Sequence, residues 1–115
     1  MGLPITAGDI KDVEPVELHN LLKNCTNGDC QTVVDVREPW EFRQGHVPGA
    51  LLIPLGQLAS RVGELDPERP VAVICASGNR SQSAAALLGQ KGFKTVYNVS
   101  GGTGAWMYSG LEVER

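Results

Sequence analysis

Apolar residues along this chain gather into short continuous runs, and between those runs they recur at helical spacing. Residues 32–36 (TVVDV) and 70–75 (PVAVIC) are continuous rather than alternating. A strand buried on both faces has no need of polar alternation. Residues 50–53 and 94–99 read as further short strands. The intervening segments change period. Val16, Leu18, Leu21 and Leu22 place a helix over 14–24, with Pro15 suited to its first turn. Residues 37–44 read as a second helix, with Pro39 near its first position and Glu41 three residues beyond Glu38. Leu55, Leu58, Val62 and Leu65 mark a third over 55–65, and the alanines and leucines of 80–92 a fourth that stops at Gly92. The last helix covers 101–110. Strand and helix alternate throughout, which predicts an α/β domain with a mostly parallel sheet.

The chain of 115 residues suits one compact domain, with residues 1–12 as an N-terminal tail. No repeat, linker or low-complexity stretch divides it. Gly2 and Thr6 fit the loose pattern for N-myristoylation, but so short a pattern recurs by chance and an ordinary tail is the better reading. A formal charge of -3 with no cluster of Lys and Arg argues against nucleic acid as a partner. No apolar run approaches a membrane span, and the N-terminus lacks the basic-then-apolar layout of a secretion signal. A cytoplasmic protein without membrane partners is expected.

Three cysteines, Cys25, Cys30 and Cys75, are an odd number, and in a reducing compartment all three are expected as thiols. Cys25 and Cys30 bracket the turn-forming TNGD at a spacing too wide for a C-x-x-C pair. Zinc would need two further ligands where the chain has only His19 and His46. They read as incidental surface thiols, and no metal or cofactor is expected.

Cys75 is different because of where it stands. It ends a hydrophobic strand, and the loop ASGN after it leads into a helix starting near Arg80 or Ser81. In an open parallel sheet, ligands bind at the carboxyl ends of the strands. The N–H groups of the loop and first helical turn have no intrahelical partners, so they can point back at an anion. They and the nearby Arg80 favour a thiolate at Cys75. Nucleophile and anion cradle then coincide. Taken alone, the junction reads equally well as a core cysteine before an ordinary capping loop.

Cys75, Gly78 and Arg80 form C-x-x-G-x-R, which resembles the active-site loop of the rhodanese sulfurtransferases. The resemblance extends to DVREPWEFRQGHVPGALLIP (Asp35 to Pro54) and GGTGAW (Gly101 to Trp106), in the order and spacing of that family. It implies five mainly parallel strands with helices on both faces. It also implies a chemistry: the Cys75 thiolate takes the outer sulfur of a donor such as thiosulfate, holds it as a persulfide, and yields it to a thiol acceptor, which can be a small molecule or a protein. The residues expected to bind substrate are Ala76, Ser77, Gly78, Asn79, Arg80 and Ser81, although Ser77, Asn79 and Ser81 read equally as caps of the helix and Arg80 also as a partner for a carbonyl or a carboxylate; Arg37 is expected to reach the mouth of the site or to pair with a glutamate such as Glu38 or Glu41. Many family members carry arginine where this chain has Ala76, which removes a positive charge from the cradle.

Asp35 is expected as a buried anchor for loops, His46 as structural rather than catalytic, and Trp40 and Trp106 as core residues covering the sheet. Two other activities fit parts of the pattern. Phosphatases and arsenate reductases use a C-x5-R loop, one residue longer than the C-x4-R here. A non-catalytic, partner-binding module of the same fold would be signalled by loss of the cysteine, and Cys75 is present; a sulfur-relay protein would differ from the enzyme only in its acceptor.

Overall fold

The structure, a computed structural model, describes residues 9–25 and 31–115. Gly2, Thr6 and Cys30 lie outside them. In chain order the elements are β1 (Asp9–Val13), α1 (Pro15–Asn24), β2 (Thr32–Asp35), α2 (Pro39–Gln44), β3 (Leu51–Leu52), α3 (Leu55–Arg61) with a 3-10 turn at Val62–Glu64, β4 (Val71–Ile74), α4 (Asn79–Gln90), β5 (Thr95–Val99) and α5 (Gly102–Tyr108). The five strands make one parallel sheet in the order β1-β5-β4-β2-β3.

The helices form where their termini and their apolar faces agree. Glu14 with Glu17, and Glu38 with Glu41, close capping boxes ahead of α1 and α2, each with proline in the first turn. Such a cap stabilises a helix by about 1 kcal/mol. The buried positions of α4 are Ser81, Ala84, Ala85, Leu88 and Gly89, a stripe of mostly small residues that lets the helix lie close on the sheet. At its end, Gly92 N–H donates to the Gly89 carbonyl and Phe93 N–H to that of Leu88, the paired bonds of a Schellman stop.

Alternation along the strands sorts the core into two layers. Val71, Val73 and Cys75 turn to the same side as Val34, Val36 and Val96, under α3 and α4. Ala72 and Ile74 face the other way with Val33 and Val99, under α1 and α5. Fully burying a side chain such as Ile74, Leu88 or Trp106 is worth roughly 1.5–3 kcal/mol. The chain leaves β2 toward β3 and leaves β4 toward β5, in opposite directions along the sheet. A crevice therefore opens at the carboxyl ends of these two neighbours.

Three expectations need correction. Residues 9–12 are not tail: Asp9–Val13 forms the edge strand, paired with β5 from Asp9–Thr95 to Val13–Val99. Its sequence, DIKDV, is too charged to announce a strand, and only the ladder offered by β5 orders it. Trp40 is 58% exposed, because α2 is short and buries none of its residues. Cys25 is disulfide-bonded rather than a thiol; the expectation rested on compartment, which says nothing about how close two sulfurs lie. Among the described residues, no helix is long and apolar enough to cross a membrane.

Candidate active site

β4 delivers Cys75 to the edge of the crevice, where the chain must leave the sheet and enter α4. Gly78 makes that turn possible. It sits at φ +104°, a region glycine enters without steric cost, and its N–H points back to the Cys75 sulfur at 3.1 Å. The thiol itself lies 3.4 Å from the Ser81 hydroxyl, to which it donates. Burial pushes the Cys75 thiol up, but the Ser81 hydroxyl, when its proton turns to the sulfur, and the N–H groups of Ser81, Gly78 and Ser77 outweigh it, so the group titrates below its ordinary 9.0. These hydrogen bonds are the largest favourable influences on the sulfur.

The carbonyls of the same loop would oppose a thiolate, and α5 takes them away. The Cys75 carbonyl accepts from the Thr103 N–H at 2.8 Å and from the Thr103 hydroxyl at 3.2 Å; the Ala76 carbonyl accepts from the Gly104 N–H at 3.1 Å. So close an approach demands glycine at 102, where a Cβ would sit 2.2 Å from the Cys75 carbonyl oxygen and 2.7 Å from the Ala76 carbonyl carbon. The GGTGAW segment thus acts as the clamp that turns the loop's carbonyls outward and its amides inward. Thr103 was not foreseen as a site residue; the hydroxyl following the double glycine is the signal that could have marked it.

The loop residues separate by role. Ser77 and Asn79 are exposed at the rim, whereas Cys75, Gly78 and Ser81 are buried. Arg80 points to α2, where its two terminal nitrogens each donate to Glu41 at 2.8 Å. That pair holds the Glu41 carboxyl at about 2, chiefly through the Arg80 hydrogen bond against the cost of burial. It also ties the loop to α2, and it takes up much of the charge expected to act on the thiol. Arg37 is buried and is held by Asp35, not by Glu38 or Glu41: Nε and Nη2 both donate to the carboxylate, at 2.9 and 2.8 Å, and Nη2 also reaches the Gly45 carbonyl. Asp35, fully buried, accepts as well from the Arg37 N–H, so the two brace the loop after β2 as one unit.

His46 stands apart from the thiol chemistry. Its ring stacks on Phe42 at 3.6 Å, Nδ1 lies 2.8 Å from the Phe42 carbonyl, and its backbone bridges to Glu114. Trp106 covers the sheet as expected, with its indole N–H on the Glu112 carbonyl.

Known proteins are similar to this chain in sequence and in fold. The sequence model of the rhodanese-like domain matches residues 14–109. A protein of Allochromatium vinosum named sulfurtransferase is 35% identical over 101 residues, covering 88% of this chain and 94% of that protein. The thiosulfate sulfurtransferase GlpE of Shewanella oneidensis is 38% identical over 87 residues, 76% of this chain and 86% of GlpE. Among solved structures, a rhodanese-related protein from Thermoplasma volcanium matches with a TM-score of 0.80 at 33% identity, covering 90% of this chain and 97% of its own.

Proposed function

The chain belongs to the rhodanese-like domain family, and from that premise we propose that it is a sulfurtransferase that carries sulfane sulfur on Cys75. The observation that carries this reading is the sulfur at the strand end with the Gly78 N–H on it at 3.1 Å. A cysteine kept only for packing has no use for amides aimed at its sulfur.

The proposed cycle is a double displacement. The Cys75 thiolate attacks the outer sulfur of a donor such as thiosulfate; the donor's S–S bond breaks and its electron pair leaves with sulfite. Cys75 is then a persulfide with its negative charge on the outer sulfur, facing the same N–H groups. A thiolate acceptor attacks that outer sulfur, takes it, and returns the Cys75 thiolate. Neither half-reaction needs a base once Cys75 is ionised, which agrees with a His46 engaged elsewhere. The donor's oxyanion meets the rim at Ser77 and Asn79, with Arg80 adding positive charge while paired to Glu41. Arg37 contributes by bracing the loop after β2.

A phosphatase fits the geometry less well. The guanidinium that would have to embrace a phosphoryl group is already bidentate on Glu41, and the C-x4-R loop is a small ring around a buried sulfur. The test is intact mass after incubation with thiosulfate. The mass of one sulfur atom should be gained, cyanide should remove it, and Cys75→Ser should not gain it. Hydrolysis of an aryl phosphate should be negligible. An adduct that persists in Cys75→Ser, or strong phosphatase activity, would defeat the proposal.

A further inference from the structure

Ser81 lies on the first turn of α4, fully buried, between two groups that compete for its hydroxyl. One is the Cys75 sulfur at 3.4 Å; the other is the Asn98 Oδ1 on β5, at 2.5 Å, to which the hydroxyl donates. The orientation of Asn98 follows from its other neighbour. Its Nδ2 lies 3.1 Å from Asp12 Oδ1 on β1, and a carboxylate only accepts, so the amide must turn its donor to Asp12 and its carbonyl to Ser81.

A hydroxyl has one proton to give. While that proton rests on Asn98, the Ser81 oxygen can accept from a thiol but has nothing to donate to a thiolate. The four groups therefore form a head-to-tail chain, running from neutral Cys75 through Ser81 and Asn98 to the exposed Asp12 carboxylate. To serve a thiolate the hydroxyl must swing to sulfur, which strips the Asn98 carbonyl of its donor. Asn98 is only 4% exposed, so water cannot replace the lost bond cheaply. Rotating the amide instead would set its carbonyl against Asp12.

We propose that Asn98, held by Asp12, sets how readily Cys75 ionises by competing with its sulfur for the Ser81 hydroxyl proton. Asn98 is a positioning residue: it acts on the sulfur only through Ser81. The assignment rests on Cys75 as the reacting group, and it distinguishes the two states of that group. In the persulfide the charge moves to the outer sulfur, the inner sulfur no longer needs the hydroxyl, and the Ser81–Asn98 bond returns. Of the charged groups on the elements around the loop, Arg80 pairs with Glu41 of α2 and acts on the sulfur by charge alone, and Arg37 pairs with Asp35; Asp12 is the one joined to the thiol by this run of hydrogen bonds.

The experiment is a pH titration of thiolate ultraviolet absorbance, with Cys75→Ser as the blank. It needs no sulfur donor, so its outcome is separate from that of sulfur loading. Asn98→Leu should lower the midpoint by about half to one pH unit, the scale of one hydrogen bond. Ser81→Ala should raise it, and in that background Asn98→Leu should have no further effect. Should Asn98→Leu fail to fold, Asp12→Asn, at an exposed position and in about 0.5 M salt to screen direct charge effects, should lower the midpoint in the same direction. A midpoint unchanged or raised by the variant that folds, or a fall that survives in Ser81→Ala, overturns the proposal.

Discussion

Glu41 does two jobs with one carboxylate. It accepts the Glu38 N–H at 3.0 Å to complete the cap of α2, and it grips Arg80 across the crevice. Its folded value near 2 lies below the ordinary 4.5, so the stability it confers is whole above about pH 4.5 and fades as the pH falls toward 2. Arg80 is 37% exposed, which screens the pair, and the contribution is about 1 kcal/mol. Glu41→Gln should lose that much in urea denaturation at neutral pH and should unfold with less pH dependence between 4.5 and 2; equal stability of the two proteins at pH 7 would show that the pair contributes nothing. The first half of this role was legible, because the spacing of Glu38 and Glu41 marks a capping box. The second was not. Arg80 lies 39 residues away, and no local pattern says which carboxylate a guanidinium will find. Trp40 failed for a related reason: an aromatic residue in a six-residue helix has too little period around it to reveal its face.

The loop from Cys75 to Ser81 works as an element in its own right, with its length as its specification. Gly78 N–H meets the sulfur at 3.1 Å because three residues return the backbone to it. One glycine inserted after Ser77 should move the Gly78 and Ser81 donors outward together. The fold should survive, the Cys75 thiol should move up toward its ordinary value, and sulfur loading should slow by roughly tenfold to a thousandfold, the usual scale for loss of anion-stabilising donors. Stopped-flow loading with thiosulfate reads this directly, and an unchanged rate would remove the amides from the mechanism. The junction was readable in advance: apolar run, cysteine, glycine-bearing loop and helical run follow one another in order, and each obeys a local rule. The clamp by α5 was not, because a Thr103 bond to Cys75 spans 28 residues; GGTGAW marked the segment without saying what its glycines make room for.

For the molecule as a whole, the least expected element is β1. Val13 completes the layer under α1 and α5, Ser100 N–H donates to its carbonyl at 2.8 Å, and Asp12 anchors Asn98. Removing residues up to Val13 should cost about 3 kcal/mol or more from the lost apolar burial and the exposed β5 edge. Urea denaturation of the shortened chain checks it, and undiminished stability would mean that the strand is an ornament on a sheet complete without it. The sequence by itself determined the alternation of strands and helices, the parallel sheet, and the cysteine at a strand end facing unpaired amides. Those follow from periodicity, capping and the missing partners of a helix start, all of which act over a few residues. Tertiary structure alone decided that an acidic edge segment becomes a strand, that Arg80 and Arg37 spend their charge on Glu41 and Asp35, and that Ser81 must choose between Cys75 and Asn98. Each of these depends on which distant groups the folded sheet brings within about 3 Å, the range in which a hydrogen bond has its strength.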